Sequence, residues 1–231
     1  MLEFEFSQIE AILFDLDGTL VETDNRWADM LADKLAPLSR AVPKLDNKRL
    51  ARGLINSIEM PSNYAISLLE RLGLSKLMSG IADRVRRSKG LATHEGSDAV
   101  AGTHEMLDAL QGHYKLAVVT TRARREAHAF VEQLGIRPYF PVVVTRQDVL
   151  RMKPNPEPVY TAAVALGVDP QRCVMVGDTT MDVRAGKRAG AISVGVLSGF
   201  GDQRELTRAG ADLILDRACQ LLAYLDDGEQ P

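Results

Sequence analysis

The chain has 231 residues, of which 45% are hydrophobic and 26% charged, a balance that excludes collagen-like, disordered and coiled-coil proteins. Its 28 basic and 31 acidic residues give a net charge of -3, which offers no general attraction to nucleic acid or to an anionic membrane. Cys173 and Cys219 are the only cysteines, too few for a disulfide framework or a Cys-based metal site. The sequence has no apolar stretch of about 18 residues and no basic-then-apolar N-terminal signal, so we expect a cytoplasmic protein that does not bind membranes.

Short apolar runs that end in turn residues predict buried strands. The predicted strands lie at 9–14, 116–120, 142–145, 173–176, 192–196 and, more weakly, 212–215. Helical patterns, three of which stop at a glycine, lie at 103–110, 123–134, 156–166 and 180–189. Strands that alternate with helices predict a Rossmann-like α/β fold with a mainly parallel sheet.

The segment between the first two strands breaks this alternation. It spans about a hundred residues without a convincing strand, far more than a βα connection needs. Its apolar residues recur at spacings of three and four, as in Trp27, Met30 and Leu31, and this spacing predicts amphipathic helices. We therefore predict a helical insert at 23–97 and an α/β core formed by 1–22 and 98–231.

Two aspartates, Asp15 and Asp17, follow the first predicted strand. Their alternate positions place them on one side of the chain, at the strand end where open α/β sheets bind ligands. Two close carboxylates repel each other unless a cation lies between them or one keeps a proton, which suits a charged nucleophile beside a protonated acid. A solvated acidic turn remains an alternative explanation of this motif.

A second acidic pair, Asp178 and Asp182, follows the fourth predicted strand. Asp178 suits the N-cap of the next helix and Asp182 lies one turn along the same face, so a helix cap with a favourable dipole explains both. Beside the first pair, however, these carboxylates would form a site for a hard cation. Oxygen ligands without nearby His or Cys favour Mg²⁺ over Zn²⁺.

Two further residues suit the binding of a phosphate group. Thr120 ends the second predicted strand, where its hydroxyl group can bond a phosphate oxygen. Lys153 opens a segment with prolines at 154, 156 and 158, which stiffens the backbone around one cationic side chain. We interpret Lys153 as a charge-balancing group beside the carboxylates. Arg122, Arg124 and Arg125 are interpreted as a solvated helix start and receive no role.

Together these motifs resemble those of the haloacid dehalogenase superfamily of phosphohydrolases. All four of its motifs occur in order, as residues 15–19, Thr120, Lys153, and Gly177-Asp178 with Asp182. The resemblance covers nearly the whole chain, and the predicted insert at 23–97 corresponds to the family's C1 cap.

The resemblance also implies a role for each motif residue. Asp15 would be the nucleophile that forms an aspartyl-phosphate, and Asp17 would protonate the leaving oxygen and then activate water. Thr120 and Lys153 would hold the phosphoryl oxygens. The implied ligands of Mg²⁺ are Asp15, the backbone carbonyl of Asp17, Asp178 and, directly or through water, Asp182.

Within the superfamily, an acid at the position of Asp17 argues for phosphate esters, and the 153–158 and 177–179 segments look most like phosphoglycolate phosphatases. The sequence thus predicts a Mg²⁺-dependent phosphatase of a small phosphorylated metabolite, with phosphoglycolate as the first candidate. It would be a monomer or a homodimer without a nucleic-acid partner. A pyrophosphatase, nucleotidase or phosphosugar mutase on the same site, and a non-catalytic binding module, are the alternatives.

Overall fold

The computed structural model describes residues 8–22 and 98–225. The chain divides into two units, Met1–Thr23 with Asp98–Pro231 and Asp24–Ser97. All described residues belong to the first unit, so the predicted helical insert at 23–97 lies outside them.

Six strands form one sheet in the order β3-β2-β1-β4-β5-β6, and all five neighbouring pairs are parallel. The strands are β1 Ala11–Phe14, β2 Lys115–Val119, β3 Val142–Val144, β4 Cys173–Gly177, β5 Ile192–Val196 and β6 Leu213–Leu215. The predicted α/β class, with a Rossmann-like parallel sheet, is therefore confirmed, and each strand lies within three residues of its predicted bounds.

Within residues 8–22 and 98–225, six α-helices connect or follow the strands. They are α1 Thr103–Leu110, α2 Arg124–Gln133, α3 Glu157–Leu166, α4 Thr180–Ala189, α5 Gln203–Ala209 and α6 Leu222–Leu225. The first four were predicted; α5 was not, because Leu206 is its only buried residue and a single apolar position gives no periodicity. Across the described ranges, none of the helices has the length and hydrophobicity that crossing a membrane requires.

Both faces of the sheet are buried, each against a pair of helices. In β1, Ile12 and Phe14 join the cluster that includes residues of α1 and α2, whereas Ala11 and Leu13 join the cluster with α3 and α4. A strand covered on both sides reads as a continuous apolar run, which is why these strands stand out in the sequence.

The topology places the carboxyl ends of three neighbouring strands side by side. β1 lies between β2 and β4, and Phe14 is in register with Val118 on one side and with Val176 on the other. The chain crosses from one side of β1 to the other at this point, and open α/β sheets bind ligands in the crevice beyond such strand ends. Asp15, Thr120 and Asp178 therefore emerge close together.

Candidate active site

Three aspartates from two strand ends form a buried cluster. One carboxylate oxygen from each of Asp15, Asp178 and Asp182 lies within 4.8 Å of the other two. Asp15 is 7% exposed and the other two are 1% exposed. Of the predicted site residues, these are the ones that the structure brings into a common acidic cluster.

Lys153 is the cation that joins this cluster. Its Nζ donates hydrogen bonds to Asp15 Oδ1 at 2.7 Å, to Asp182 Oδ1 at 2.5 Å and to the carbonyl of Val119 at 2.9 Å. All three ammonium hydrogens are thereby used, and the side chain is 3% exposed. Among the described residues, this buried space therefore holds three carboxyl groups for one ammonium group.

The segment that carries Lys153 is fixed by hydrogen bonds as well as by its prolines. The guanidinium of Arg188 donates to the carbonyl of Pro154 at 2.7 Å. The Glu157 carboxylate accepts from the backbone of Leu150 at 2.5 Å and of Arg151 at 2.9 Å. The rigid placement that the prolines predicted is therefore supported on both sides of Lys153.

Asp182 is held by the start of α4. Its Oδ2 accepts hydrogen bonds from the backbone and the hydroxyl of Thr179, and the Thr179 hydroxyl accepts in turn from the backbone of Asp182, which makes a capping box. The N-cap is thus Thr179, and the prediction that Asp178 caps this helix was wrong by one residue. The Asp178 carboxylate therefore does not cap the helix, and it faces the site.

Asp178 has one satisfied and one unsatisfied carboxylate oxygen. Its Oδ2 accepts from the backbone of Phe200 at 2.7 Å, while Oδ1 is buried and has no hydrogen-bond partner among the described residues. The backbone packs closely on this group, since a Cβ at Gly18 would lie 2.5 Å from Oδ2 and one at Gly199 would overlap it. A buried carboxylate oxygen without a partner is costly, and a cation would satisfy it.

The pKa shifts of the cluster also favour the binding of a cation. Burial raises the pKa of Asp15 to about 7, against the lowering effect of Lys153. Burial also raises the pKa of Asp178 well above its usual range, and the charges of Asp15 and Asp182 add to this. For Lys153 burial lowers the pKa, but the charges of Asp15 and Asp182 outweigh it, so the net shift is upward and the ammonium stays charged. Among the described residues, the cluster has fewer basic than acidic groups, and its oxygen ligands fit a hard divalent cation.

Asp17 lies outside this cluster and pairs with Arg122. Arg122 Nε donates to Asp17 Oδ2 at 2.7 Å and Nη2 donates to Oδ1 at 2.6 Å. The two side chains are 32% and 19% exposed, respectively. Burial lowers the pKa of Arg122, but the charge of Asp17 outweighs it and the net shift is upward. Whether the backbone carbonyl of Asp17 binds a cation stays a prediction.

Thr120 directly follows β2 and is 3% exposed. Its hydroxyl oxygen accepts from the backbone of Arg122 at 3.1 Å, which is its one hydrogen bond within the described part of the chain. The hydroxyl hydrogen is therefore available to an acceptor such as a phosphate oxygen.

Two parts of this site, Arg122 and the loop 198–201, were not predicted from the sequence. Arg122 was assigned to a solvated helix start, although its place two residues after Thr120 puts it at the same strand edge as Asp17. The loop 198–201 was also missed: the Ser198 hydroxyl donates to the carbonyl of Gly18 at 2.6 Å, and the Phe200 amide donates to Asp178. Its two glycines after β5 were the available signal, since they permit close backbone approach.

Comparison with known proteins gives relatives along nearly the whole chain. The family model of haloacid dehalogenase-like hydrolases matches residues 12–196. The pyrophosphatase PpaX of Bacillus pumilus is 31% identical over 95% of this chain and 97% of its own length. The phosphoglycolate phosphatase of Escherichia coli O157:H7 is 29% identical over 96% of this chain and 94% of its own.

A similar relationship is seen among solved structures. A HAD family hydrolase from Deinococcus radiodurans R1, crystallised with bound phosphate and sodium, has a TM-score of 0.68 and is 26% identical. The match covers 96% of this chain and 97% of that one. The resemblance inferred from the four motifs is thereby confirmed.

Proposed function

Because the chain belongs to the haloacid dehalogenase-like hydrolases, we propose that it is a Mg²⁺-dependent phosphatase that hydrolyses a small phosphate monoester, with phosphoglycolate as the first candidate. The observation that carries the proposal is the buried cluster in which Lys153 holds Asp15 beside the unsatisfied oxygen of Asp178. Phosphoryl transfer requires a nucleophile, a cationic group that balances its charge, and oxygen atoms that can bind a metal ion.

Asp15 is the nucleophile in this proposal. Lys153 binds its Oδ1, and within the described ranges Oδ2 accepts no hydrogen bond. Attack of an Asp15 oxygen on phosphorus would break the bond to the leaving oxygen and form an aspartyl-phosphate. Attack of water on that intermediate would then release inorganic phosphate and regenerate the carboxylate.

Asp15 and Asp178 are the ligands that we assign first to Mg²⁺, with the backbone carbonyl of Asp17 and the Asp182 carboxylate as further ligands. Asp182 already accepts from Lys153 and Thr179, which favours a contact through water. When bound, the cation would neutralise the cluster and polarise the phosphoryl group. The Deinococcus structure, which was solved with bound phosphate and sodium, supports the proposal that a protein of this fold binds a phosphate anion and a cation.

The remaining residues would bind the phosphoryl group and move protons. Thr120 would donate its free hydroxyl hydrogen to a phosphoryl oxygen, and Lys153 would balance the charge beside Asp15. Asp17, at the partly exposed rim, would protonate the leaving oxygen and later accept a proton from the attacking water.

A second candidate is inorganic pyrophosphate. It is favoured by the relationship to pyrophosphatase PpaX, whose identity to this chain matches that of the phosphoglycolate phosphatase within a few per cent. Both substrates present a terminal phosphoryl group to the same nucleophile, so the cluster alone does not choose between them.

A panel assay tests the proposal. Purified protein with Mg²⁺ is incubated with phosphoglycolate, other small phosphate monoesters, pyrophosphate and a phosphopeptide, and the released phosphate is measured. We expect turnover of small monoesters that is lost with excess chelator and restored by Mg²⁺. Equal turnover in chelator, or preference for the phosphopeptide, would contradict the proposal, while exclusive cleavage of pyrophosphate would select the second candidate.

A further inference from the structure

The Asp17–Arg122 pair is built more specifically than an ordinary rim contact. Two separate nitrogens of Arg122 each donate to a different oxygen of Asp17, at 2.7 and 2.6 Å. Such a two-point contact between two planar groups fixes direction as well as distance. Surface ion pairs, by contrast, are held loosely and contribute little.

The Phe130 ring and the Thr120 hydroxyl restrict the position of Arg122. Its guanidinium carbon lies 3.9 Å from the centre of the Phe130 ring, a stacked arrangement that confines the plane of the group. Its backbone amide donates to the hydroxyl of Thr120 at 3.1 Å. One residue thus connects the threonine that would bind phosphate to the carboxylate that would move the proton.

The direction of the Asp17 carboxylate depends on its contact with Arg122. The backbone next to it is fixed, because the Gly18 amide donates to the carbonyl of Val21 at 2.8 Å and Gly18 has a φ of +75°. The carboxylate, however, receives its hydrogen bonds from Arg122 alone within residues 8–22 and 98–225. Its direction is therefore set by the guanidinium.

We propose that Arg122 is a positioning residue, which holds the Asp17 carboxylate in the direction from which it exchanges protons with the leaving oxygen and the attacking water. The proposal rests on the proposed function, because it assigns Arg122 a part in phosphate ester hydrolysis. It differs from two other roles for the same arginine, which are a direct contact with the substrate and a purely structural ion pair.

A leaving-group comparison within a double-mutant cycle separates these roles. Wild type, Arg122→Gln, Asp17→Asn and the double variant are assayed with Mg²⁺ on phenyl phosphate and p-nitrophenyl phosphate, which have similar shapes but leaving groups that need protonation to different degrees. We expect Arg122→Gln to lower kcat about 10- to 100-fold on phenyl phosphate and by less than about 3-fold on p-nitrophenyl phosphate. In the background of Asp17→Asn, removing Arg122 should cost no further activity, because the two act as one unit.

Arg124→Gln is the matched control, since Arg124 lies on the same segment but pairs with Asp148 at the surface. It should leave kcat on both substrates within about 2-fold. Arg122→Lys keeps the charge but loses the two-point contact, so it should show the same dependence on the leaving group with a smaller loss. This variant also keeps the test valid if Arg122→Gln does not fold.

The outcomes distinguish the proposals. A raised KM with unchanged kcat would make Arg122 a substrate contact, and equal losses on both substrates or additive losses with Asp17→Asn would make it structural; each overturns the positioning role while the phosphatase stands. If wild type released no phosphate from any monoester, the proposed function itself would fail, and the positioning role with it.

Discussion

The two acidic groups at this sheet edge differ in how their charge is balanced. At the rim, one carboxylate meets one guanidinium in the Asp17–Arg122 pair, and both keep contact with solvent. In the buried cluster, Asp15, Asp178 and Asp182 share the single ammonium of Lys153. Within the part of the chain that the structure describes, the rim pair matches one acid with one base, whereas the cluster has more acidic than basic groups and an oxygen without a hydrogen-bond partner. This difference supports the proposal that the buried cluster would bind the cation and that Asp17, at the rim, would transfer the proton.

The largest effect should come from removing the nucleophile in the cluster. Asp15→Asn keeps the size of the side chain but not its nucleophilic oxygen, so we expect a loss of kcat of about 10⁴-fold or more and no phosphoenzyme. Acid quenching during turnover, followed by detection of protein-bound phosphate, measures this. A phosphoenzyme in Asp15→Asn would move the nucleophile elsewhere.

The next effect concerns Lys153, the one cation that contacts the cluster among the described residues. Lys153→Met leaves buried carboxylates uncompensated, which should lower the free energy of unfolding by about 3–5 kcal/mol at neutral pH without Mg²⁺. The control is Lys187→Met, because Lys187 pairs with Asp212 at 2.7 Å but is 41% exposed; it should cost less than about 1 kcal/mol. Urea unfolding compares the two, and similar losses would erase the distinction between cluster and surface.

The pH dependence of stability tests the excess of negative charge. The pKa of Asp15 is raised from 3.8 to about 7, and that of Asp178 is also raised, both by burial. Between pH 3.8 and pH 7 or so, the folded protein binds more protons than the unfolded chain. The free energy of unfolding therefore falls as the pH rises through this range. We expect the metal-free protein to lose on the order of 2 kcal/mol between pH 5 and pH 7.5, measured by urea unfolding in chelator. A rise in stability over that interval would contradict the assigned pKa directions.

The smallest stability effect should be at the rim. Arg122→Gln breaks a pair whose side chains are 19% and 32% exposed, whereas Lys153 is 3% exposed. Because water can solvate the Asp17 carboxylate that is left, we expect the free energy of unfolding to fall by only about 1 kcal/mol even if kcat falls strongly. Thermal unfolding of this variant beside wild type measures it. A loss as large as that of Lys153→Met would mean that the rim pair is a structural support of the fold.

The strands and the acidic motifs were predictable because their signals are local. Strands buried on both faces read as apolar runs, and Lys153 was marked by the prolines that follow it. Arg122 was not predictable in this way, since its partner Asp17 lies 105 positions earlier and the contact depends on how β1 and β2 pair. The assignment of the N-cap failed between Asp178 and Thr179 because both residue types are good caps, and only the folded loop decides which one is used.

The role of Asp178 as a Mg²⁺ ligand is tested by magnesium binding to Asp178→Asn and to wild type, measured by titration calorimetry and thermal unfolding at pH 7.5. We expect wild type to bind one Mg²⁺ per chain and to be stabilised by it, because the cation satisfies the Asp178 oxygen that has no partner among the described residues and neutralises the cluster. We expect Asp178→Asn to lose this binding yet, without metal, to be at least as stable as wild type, because a buried acidic group has been removed. Unchanged Mg²⁺ binding in Asp178→Asn, or a metal-free variant markedly less stable than metal-free wild type, would show that the cluster does not bind the cation through Asp178.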